Sequence, residues 1–269
     1  MDTTTLRATA AVRPRAERIS GCVVGVLSVG LALVAATFCS AASWENTDGS
    51  SFSGFSAGLK LGPVFAQHTG TEERDSDYTV ASDWRTGLSG GVFVYWPVTE
   101  RFGLQQEVLF SQKGSRQEIG VEILELPTTL DVTYEMDYIE IPILMRFTWL
   151  DTRWADVYSL MGTALSLKIN DRYVLEGVLD DGEQVVPISA EADMSEVDMF
   201  DYSFVYGLGC ELEAWQRTLV FEYRFTTGWN QLMMPTYAYV PFGDEEILIE
   251  NDPVPLKNQT HSLMFGICF

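Results

Sequence analysis

Residues 137–147 have the sequence DYIEIPILMRF, in which the side chains alternate in character. Because successive side chains of a β-strand point to opposite faces, Glu140 and Arg146 lie on one face. The other face is entirely apolar and consists of Ile139, Ile141, Ile143, Met145 and Phe147. The segment therefore predicts a β-strand with one apolar and one charged face.

The same period of two recurs along the chain, and no long segment keeps the 3.6-residue spacing of a helix. Eight predicted strands cover residues 54–67, 84–97, 101–114, 134–149, 156–169, 200–213, 216–228 and 258–269. Each has about the ten residues that a tilted strand needs to cross a bilayer. This pattern predicts an all-β fold.

The connections between the predicted strands alternate in length. Short turns lie near residues 97–100, 151–153 and 213–216, and long polar loops cover residues 68–83, 115–133, 170–199 and 229–257. An even strand count with short turns at one rim and long loops at the other is typical of outer-membrane barrels. We therefore predict an eight-stranded antiparallel transmembrane up-and-down β-barrel over residues 54–269, with the long loops outside the cell.

A soluble periplasmic ligand-binding barrel would show the same alternation with its apolar face turned inward. The tryptophans favour the membrane alternative, because six of the seven fall at predicted strand ends. Aromatic girdles of outer-membrane barrels occupy those positions, at the level of the lipid head groups. The predicted girdle consists of Trp84, Trp96, Trp149, Trp154, Trp215 and Trp229.

The N-terminal segment predicts export. Four arginines precede an uninterrupted apolar run over residues 21–38, and the small residues Ser40, Ala41 and Ala42 follow it. This arrangement is typical of a secretory signal peptide over residues 1–42, with an uncleaved N-terminal anchor as the alternative. Residues 43–53 then form a flexible periplasmic lead-in before the barrel.

The chain is strongly acidic, with 38 Asp and Glu against 17 Lys and Arg and a formal charge of −21. Such a charge excludes nucleic acid as a partner. Most of it lies in the four long loops, where 23 acids accompany four bases. We expect these loops to form a solvated acidic rim, with a basic protein or divalent cations as the candidate partners.

The inward faces of the predicted strands carry charges of both signs. The predicted lumen ionic network consists of Lys60, Glu107, Lys113, Glu140, Arg146, Glu222 and Arg224. An eight-stranded barrel has an interior that side chains fill, so buried ions there must pair. We therefore expect a lumen plugged by salt bridges rather than a pore.

Several motifs resemble the PorT-like outer membrane protein β-barrel family. They include Tyr138-x-Glu140-x-Pro142 and residues 105–114, which have the sequence QQEVLFSQKG. The resemblance covers nearly the whole chain after the signal peptide. It implies an eight-stranded barrel in the outer membrane of a didermal bacterium. The terminal Phe269 also resembles the signal that bacterial outer-membrane assembly machinery reads.

Two histidines suggest an alternative function. His68 and His261 fall at the same predicted rim, where small barrel enzymes that act on lipid place catalytic residues. The sequence offers little else for catalysis, so we predict a monomeric barrel of structural or binding role, with no enzymatic activity, cofactor or metal. Cys210 and Cys268 fall on opposite faces of their strands, which predicts that they form no disulfide.

Overall fold

The computed structural model describes residues 55–69, 79–123, 126–180, 185–192, 199–214, 217–242 and 245–269. The predicted signal peptide and lead-in, and Trp215 of the predicted girdle, lie outside these residues. The strands are β1 (Ser56–Thr69), β2 (Thr79–Pro97), β3 (Phe102–Ile123), β4 (Leu126–Asp151), β5 (Ala155–Asp180), β6 (Val185–Ala192), β7 (Phe200–Ala214), β8 (Arg217–Gly228), β9 (Leu232–Phe242) and β10 (Glu245–Cys268). None of the described residues forms a helix long and apolar enough to cross a membrane.

Eight of these strands form a closed antiparallel barrel in the order β1-β2-β3-β4-β5-β7-β8-β10. Pairing of β10 with β1 closes the barrel, for example where Leu61 lies opposite Phe265. The closed eight-stranded antiparallel barrel predicted from the sequence is confirmed. The two additional strands, β6 and β9, pair with the outer parts of β5 and β10.

The two faces of the barrel wall have the orientation of a membrane barrel. On β8, Phe221 and Tyr223 are exposed on the outside, whereas Glu222 and Arg224 are 3% exposed inside. Leu61 on β1, Met145 on β4 and Leu208 on β7 are likewise more than half exposed on the outer wall. An apolar outer wall around a charged interior fits lipid outside the barrel and excludes the soluble barrel, whose faces would be reversed.

Strand pairing continues through much of the ranges assigned to the long loops. Most of residues 115–133 continues β3 and β4 as a hairpin, and residues 170–199 contain the end of β5 and all of β6. Residues 229–257 contain β9 and the first half of β10. The physical reason is the period-two pattern of residues 173–179 and 247–249, which favours strand over loop. At about 3.3 Å per residue, the 26-residue strands β4 and β5 reach well beyond a bilayer.

Two glycines lie where the neighbouring strand leaves no space for a side chain. Gly114 in β3 has a φ of +134°, a conformation that L side chains rarely adopt, and an added Cβ would lie 2.0 Å from the Tyr134 carbonyl oxygen. Gly209 in β7 lies under the Tyr158 ring, since a Cβ there would lie 2.5 Å from the ring. The Tyr158 hydroxyl can therefore reach the centre of the lumen.

Candidate functional site

The centre of the lumen holds a four-residue ionic cluster, which we call the central tetrad: Lys60, Glu107, Glu222 and Arg224. Lys60 Nζ lies 3.0 Å from Glu107 Oε1 and 2.6 Å from Glu222 Oε1. Arg224 donates to Glu107 through both terminal nitrogens at 2.6 Å, and its Nε donates to Glu222 Oε2 at 2.9 Å. All four side chains are at most 4% exposed. Two bases and two acids therefore neutralise each other away from solvent.

Uncharged neighbours complete the hydrogen bonding of the central tetrad. Gln105 Nε2 donates to Glu107 Oε1 at 2.6 Å, and the Tyr158 hydroxyl donates to Glu222 Oε1 at 2.7 Å. The Lys60 ammonium also lies 4.2 Å from the centre of the Phe93 ring. Buried ion pairs offset their desolvation cost only with such additional bonds, so these residues make the tetrad tolerable inside the barrel.

A second ion pair lies toward the short turns. Arg146 forms a bidentate pair with Glu211, with Nη2 to Oε2 at 2.8 Å. The guanidinium lies between two aromatic rings, 4.4 Å from Tyr95 and 3.6 Å from Tyr158. Glu211 was missing from the predicted network, although its parity along β7 places it opposite the lipid-facing Cys210 and Leu212.

A third cluster lies toward the long-loop end. Lys113 pairs with Glu140 and lies 5.1 Å from the Tyr138 ring. Ser111 donates to Glu140 Oε2 at 2.7 Å, and Ser166 donates to Glu140 Oε1 at 3.2 Å. All seven residues of the predicted network therefore lie inside the barrel, in three clusters. A polar cavity of about 20 Å³, enough for one water molecule, separates this third cluster from the central tetrad.

The residues that carry the sequence resemblance converge in the lumen. Glu140 and Tyr138 of the Tyr-x-Glu-x-Pro motif on β4 face Lys113 and Ser111 on β3. The two strands pair with Ser111 opposite Tyr138. Pro142 lines the small cavity. The two motifs therefore act as one structural unit that fills the interior between β3 and β4.

The two histidines lie on opposite sides of the barrel wall. His68 faces the interior, where its Nδ1 lies 2.6 Å from Ser115 Oγ. His261 faces outward, with its Nδ1 2.6 Å from the Tyr223 hydroxyl and its ring 5.1 Å from Trp84. The alternative of a shared His68 and His261 site is therefore wrong, because the wall separates them. The described residues contain no group of three or more side chains suited to hold a metal ion.

His68 lies above the lipid-facing belt, since its outward neighbour Gln67 is polar and pairs with Gln259 at 3.1 Å. Burial of the imidazole lowers the pKa of His68 from 6.5 to about 4, against a smaller opposing effect of its bond with Asn258. The ring also makes an edge contact with Tyr134 at 5.8 Å. His68 is therefore neutral at physiological pH and packs inside the barrel.

Four described tryptophans of the predicted girdle, Trp96, Trp149, Trp154 and Trp229, lie at or next to strand ends. Trp84 lies within β2 instead, because that strand begins at Thr79. Trp84, Trp149, Trp154 and Trp229 are 45–69% exposed, whereas Trp96 is half-buried. Trp149 packs against Phe147 at 4.6 Å. The terminal Phe269 is 70% exposed, and its backbone nitrogen donates to the Ala57 carbonyl oxygen at 2.9 Å across the closing seam.

A polar row marks the outer limit of the apolar belt on β2 to β5. Arg85 Nη2 donates to Glu135 Oε1 at 3.0 Å, and Arg172 Nε donates to Glu135 Oε2 at 3.1 Å. The Arg172 hydrogen bond and the two guanidinium charges hold the pKa of Glu135 below its usual range. These residues lie where the wall leaves the hydrocarbon and meets the head groups.

Cys210 and Cys268 are both free thiols, as predicted. Cys210 is half-buried on the outer face of β7, and Cys268 is buried on the inner face of β10.

One family of known proteins matches most of the chain. The model of the outer membrane protein beta-barrel domain matches residues 42–233. Similar solved structures include Ail, the attachment invasion locus protein of Yersinia pestis, with 13% identity over 80% of this chain and 98% of Ail and a TM-score of 0.32. They also include the outer membrane protease OmpT of Escherichia coli, with 6% identity, 84% and 98% coverage and a TM-score of 0.40. No curated protein matches the chain.

Proposed function

Since this chain belongs to the outer membrane protein beta-barrel domain family, we propose that it is a non-conducting barrel of structural or binding role. The observation that carries this proposal is the central tetrad. Its four side chains fill the cross-section of the lumen, and none of them is more than 4% exposed. An ion that passed through the lumen would have to break these buried ion pairs. The Arg146–Glu211 pair blocks the same path nearer the short turns.

The closed lumen predicts the electrical behaviour of the purified protein. In planar lipid bilayers the wild type gives no regular conductance steps. The double variant Lys60→Ser with Glu107→Ser removes one base and one acid together and leaves Arg224 paired with Glu222. This variant also stays silent, because the Arg146–Glu211 pair still blocks the path nearer the short turns. Small steps are expected once Arg146→Ser and Glu211→Ser are added to it. Regular steps from the wild type would contradict the proposal, and a matched outer-face variant, Arg116→Ser, should stay silent.

The proposed binding role rests on the strands that extend beyond the membrane. Outward-facing carboxylates continue along them above the belt, and Glu118 and Glu176 are exposed there. Such a rim fits a basic protein or divalent cations that link it to lipid phosphates. Titration of the protein in nanodiscs with an oligolysine peptide, and separately with Mg²⁺, tests this role. Binding should weaken as ionic strength rises, and binding that is absent at low salt would contradict it.

We also propose that the outer rim has no enzymatic activity. The separation of His68 from His261 by the wall, and the burial of His68 against Ser115, support this proposal. Mass spectra of lipid A from cells that express the wild type should match those from cells that express His261→Ala. A mass change that depends on His261 would contradict it.

Biogenesis follows from the two ends of the chain. We propose that residues 1–42 are a cleaved signal peptide, that the exposed Phe269 is read by outer-membrane assembly machinery, and that the folded barrel is a monomer. The convergence of the two lumen motifs supports placing the chain in the PorT-like branch of the family. Mass spectrometry of the mature protein tests cleavage near Ala42.

A further inference from the structure

The described lumen contains one more acid than base. Its deeply placed bases are Lys60, Lys113, Arg146, Lys168 and Arg224, and its acids are Glu107, Glu140, Asp171, Asp201, Glu211 and Glu222. The central tetrad is neutral, and each of the other bases has one acid. Arg146 pairs with Glu211, Lys113 pairs with Glu140, and Lys168 pairs with Asp171. Asp201 is left without an ion pair among the residues that the structure describes.

Asp201 is completely buried at the start of β7. Its Oδ2 accepts a hydrogen bond from Asn258 Nδ2 at 2.8 Å. Its Oδ1 has no hydrogen-bond partner among the described atoms, and neither has the hydroxyl of Ser203, two residues along the same face. An ionised carboxylate with one bond and no counter-ion is the arrangement that a low-dielectric interior disfavours most.

The groups around Asp201 do not supply the missing charge. Those that face it are Lys113 on β3, Tyr138 and Glu140 on β4, Ser166 on β5, and Asn258 on β10, with His68 on β1 beyond Asn258. On β5 beyond Ser166, Lys168 pairs with Asp171. Lys113 is committed to Glu140, so its attraction for Asp201 is set against repulsion by the Glu140 carboxylate. On β8 the facing residue is Gly228, which contributes no side chain.

We propose that Asp201 is a buried proton-binding site and stands as a neutral carboxylic acid in the folded barrel at neutral pH. One bound proton makes the count of lumen charges equal, with five bases and five ionised acids. It also removes the need for a counter-ion beside Oδ1. The folded state therefore binds a proton that the unfolded chain releases, so stability must decrease as the pH rises and Asp201 ionises.

The variant Asp201→Asn tests this inference, because asparagine has the shape of the protonated acid and cannot ionise. Unfolding by urea is measured in lipid vesicles from about pH 6.5 to about pH 8, a range in which an ordinary aspartate stays ionised and the tyrosines and cysteines of the unfolded chain stay largely protonated. The wild type loses stability with rising pH, and Asp201→Asn does not. Asp137→Asn, which changes an outward-facing aspartate, keeps the slope of the wild type.

A large loss of stability of Asp201→Asn at neutral pH, a tenfold or greater rise in the unfolding constant, would overturn the inference, because it would mean that the carboxylate is needed in its ionised form. Stability of the wild type that depends on sodium concentration, and not on pH, would overturn it too.

Infrared spectroscopy of the wild type gives a second readout that does not depend on how a variant folds. The expected spectrum contains the carbonyl stretch of a protonated carboxylic acid at neutral pH, and this band disappears in Asp201→Asn. Absence of the band from the wild type would overturn the inference.

Discussion

Removal of one charge from the central tetrad should destabilise the barrel strongly. Lys60→Met deletes the ammonium that bonds Glu107 at 3.0 Å and Glu222 at 2.6 Å, and leaves two buried carboxylates with Arg224 alone. Removal of one partner from a buried ion pair costs about 3–5 kcal/mol, because the remaining charge keeps its desolvation penalty. We therefore expect Lys60→Met to lower the free energy of unfolding by about that amount.

A balanced variant separates charge from packing. Lys60→Met with Glu222→Gln removes one base and one acid and leaves the bidentate Arg224–Glu107 pair intact. This double variant should be more stable than Lys60→Met alone, although it carries one more substitution. The exposed Arg116–Asp131 pair is the control, and Arg116→Met should cost less than about 1 kcal/mol because its partners are 58% and 43% exposed.

Equilibrium urea unfolding in lipid vesicles, followed by tryptophan fluorescence, measures these differences. Two results would refute the reasoning. The first is a cost of Lys60→Met no greater than that of Arg116→Met, which would mean that water reaches the tetrad. The second is a double variant less stable than Lys60→Met, which would mean that shape and not charge balance holds the lumen together.

Three further predictions follow from single residues. His68 has a folded-state pKa of about 4, below its unfolded value of 6.5, so the stability it contributes is present above pH 6.5 and is lost as the pH falls through about 4. Between pH 7 and pH 4 the free energy of unfolding of the wild type should fall by about 3 kcal/mol more than that of His68→Gln. Equal losses would contradict this prediction. Gly114→Ala should destabilise the barrel by at least about 1–3 kcal/mol in urea, because of its φ of +134° and the nearby Tyr134 carbonyl, and a neutral result would contradict the backbone conformation. Without reduction, a membrane-permeable maleimide should add one mass label to the folded protein at Cys210 and a second only after unfolding exposes Cys268; no label after unfolding would show a disulfide.

The sequence was sufficient for the barrel because period two is unambiguous in β4 and β8. It also identified the lumen network, since inward parity follows from strand alternation alone. The pairings within the network could not be predicted from the sequence. Lys60 meets Glu222 only because β10 closes on β1, and that closure depends on the register of the whole barrel. Glu211 and Asp201 had the correct parity for the lumen, but no pattern marked them as functional.

His68 and His261 lie at the same rim of the barrel but on opposite faces of its wall. His68 has the parity of Lys60 on β1, and His261 has the parity of Leu263 on β10, so the alternation of each strand already placed them on opposite faces. Membership of the same rim was therefore too weak an argument for a joint site. Strand pairing continues into the predicted loop ranges, because the alternation of residues 173–179 does not stop where a membrane ends.

Electrophoresis of the outer-membrane fraction in SDS, with and without boiling, tests the central claim most directly. Folded membrane barrels resist SDS at room temperature, so the unboiled protein should migrate differently from the boiled protein. The expected result is a heat-dependent shift of this protein in the outer-membrane fraction. A protein found in the soluble periplasm with no shift would contradict the account, because its exposed apolar wall would then have no lipid to face.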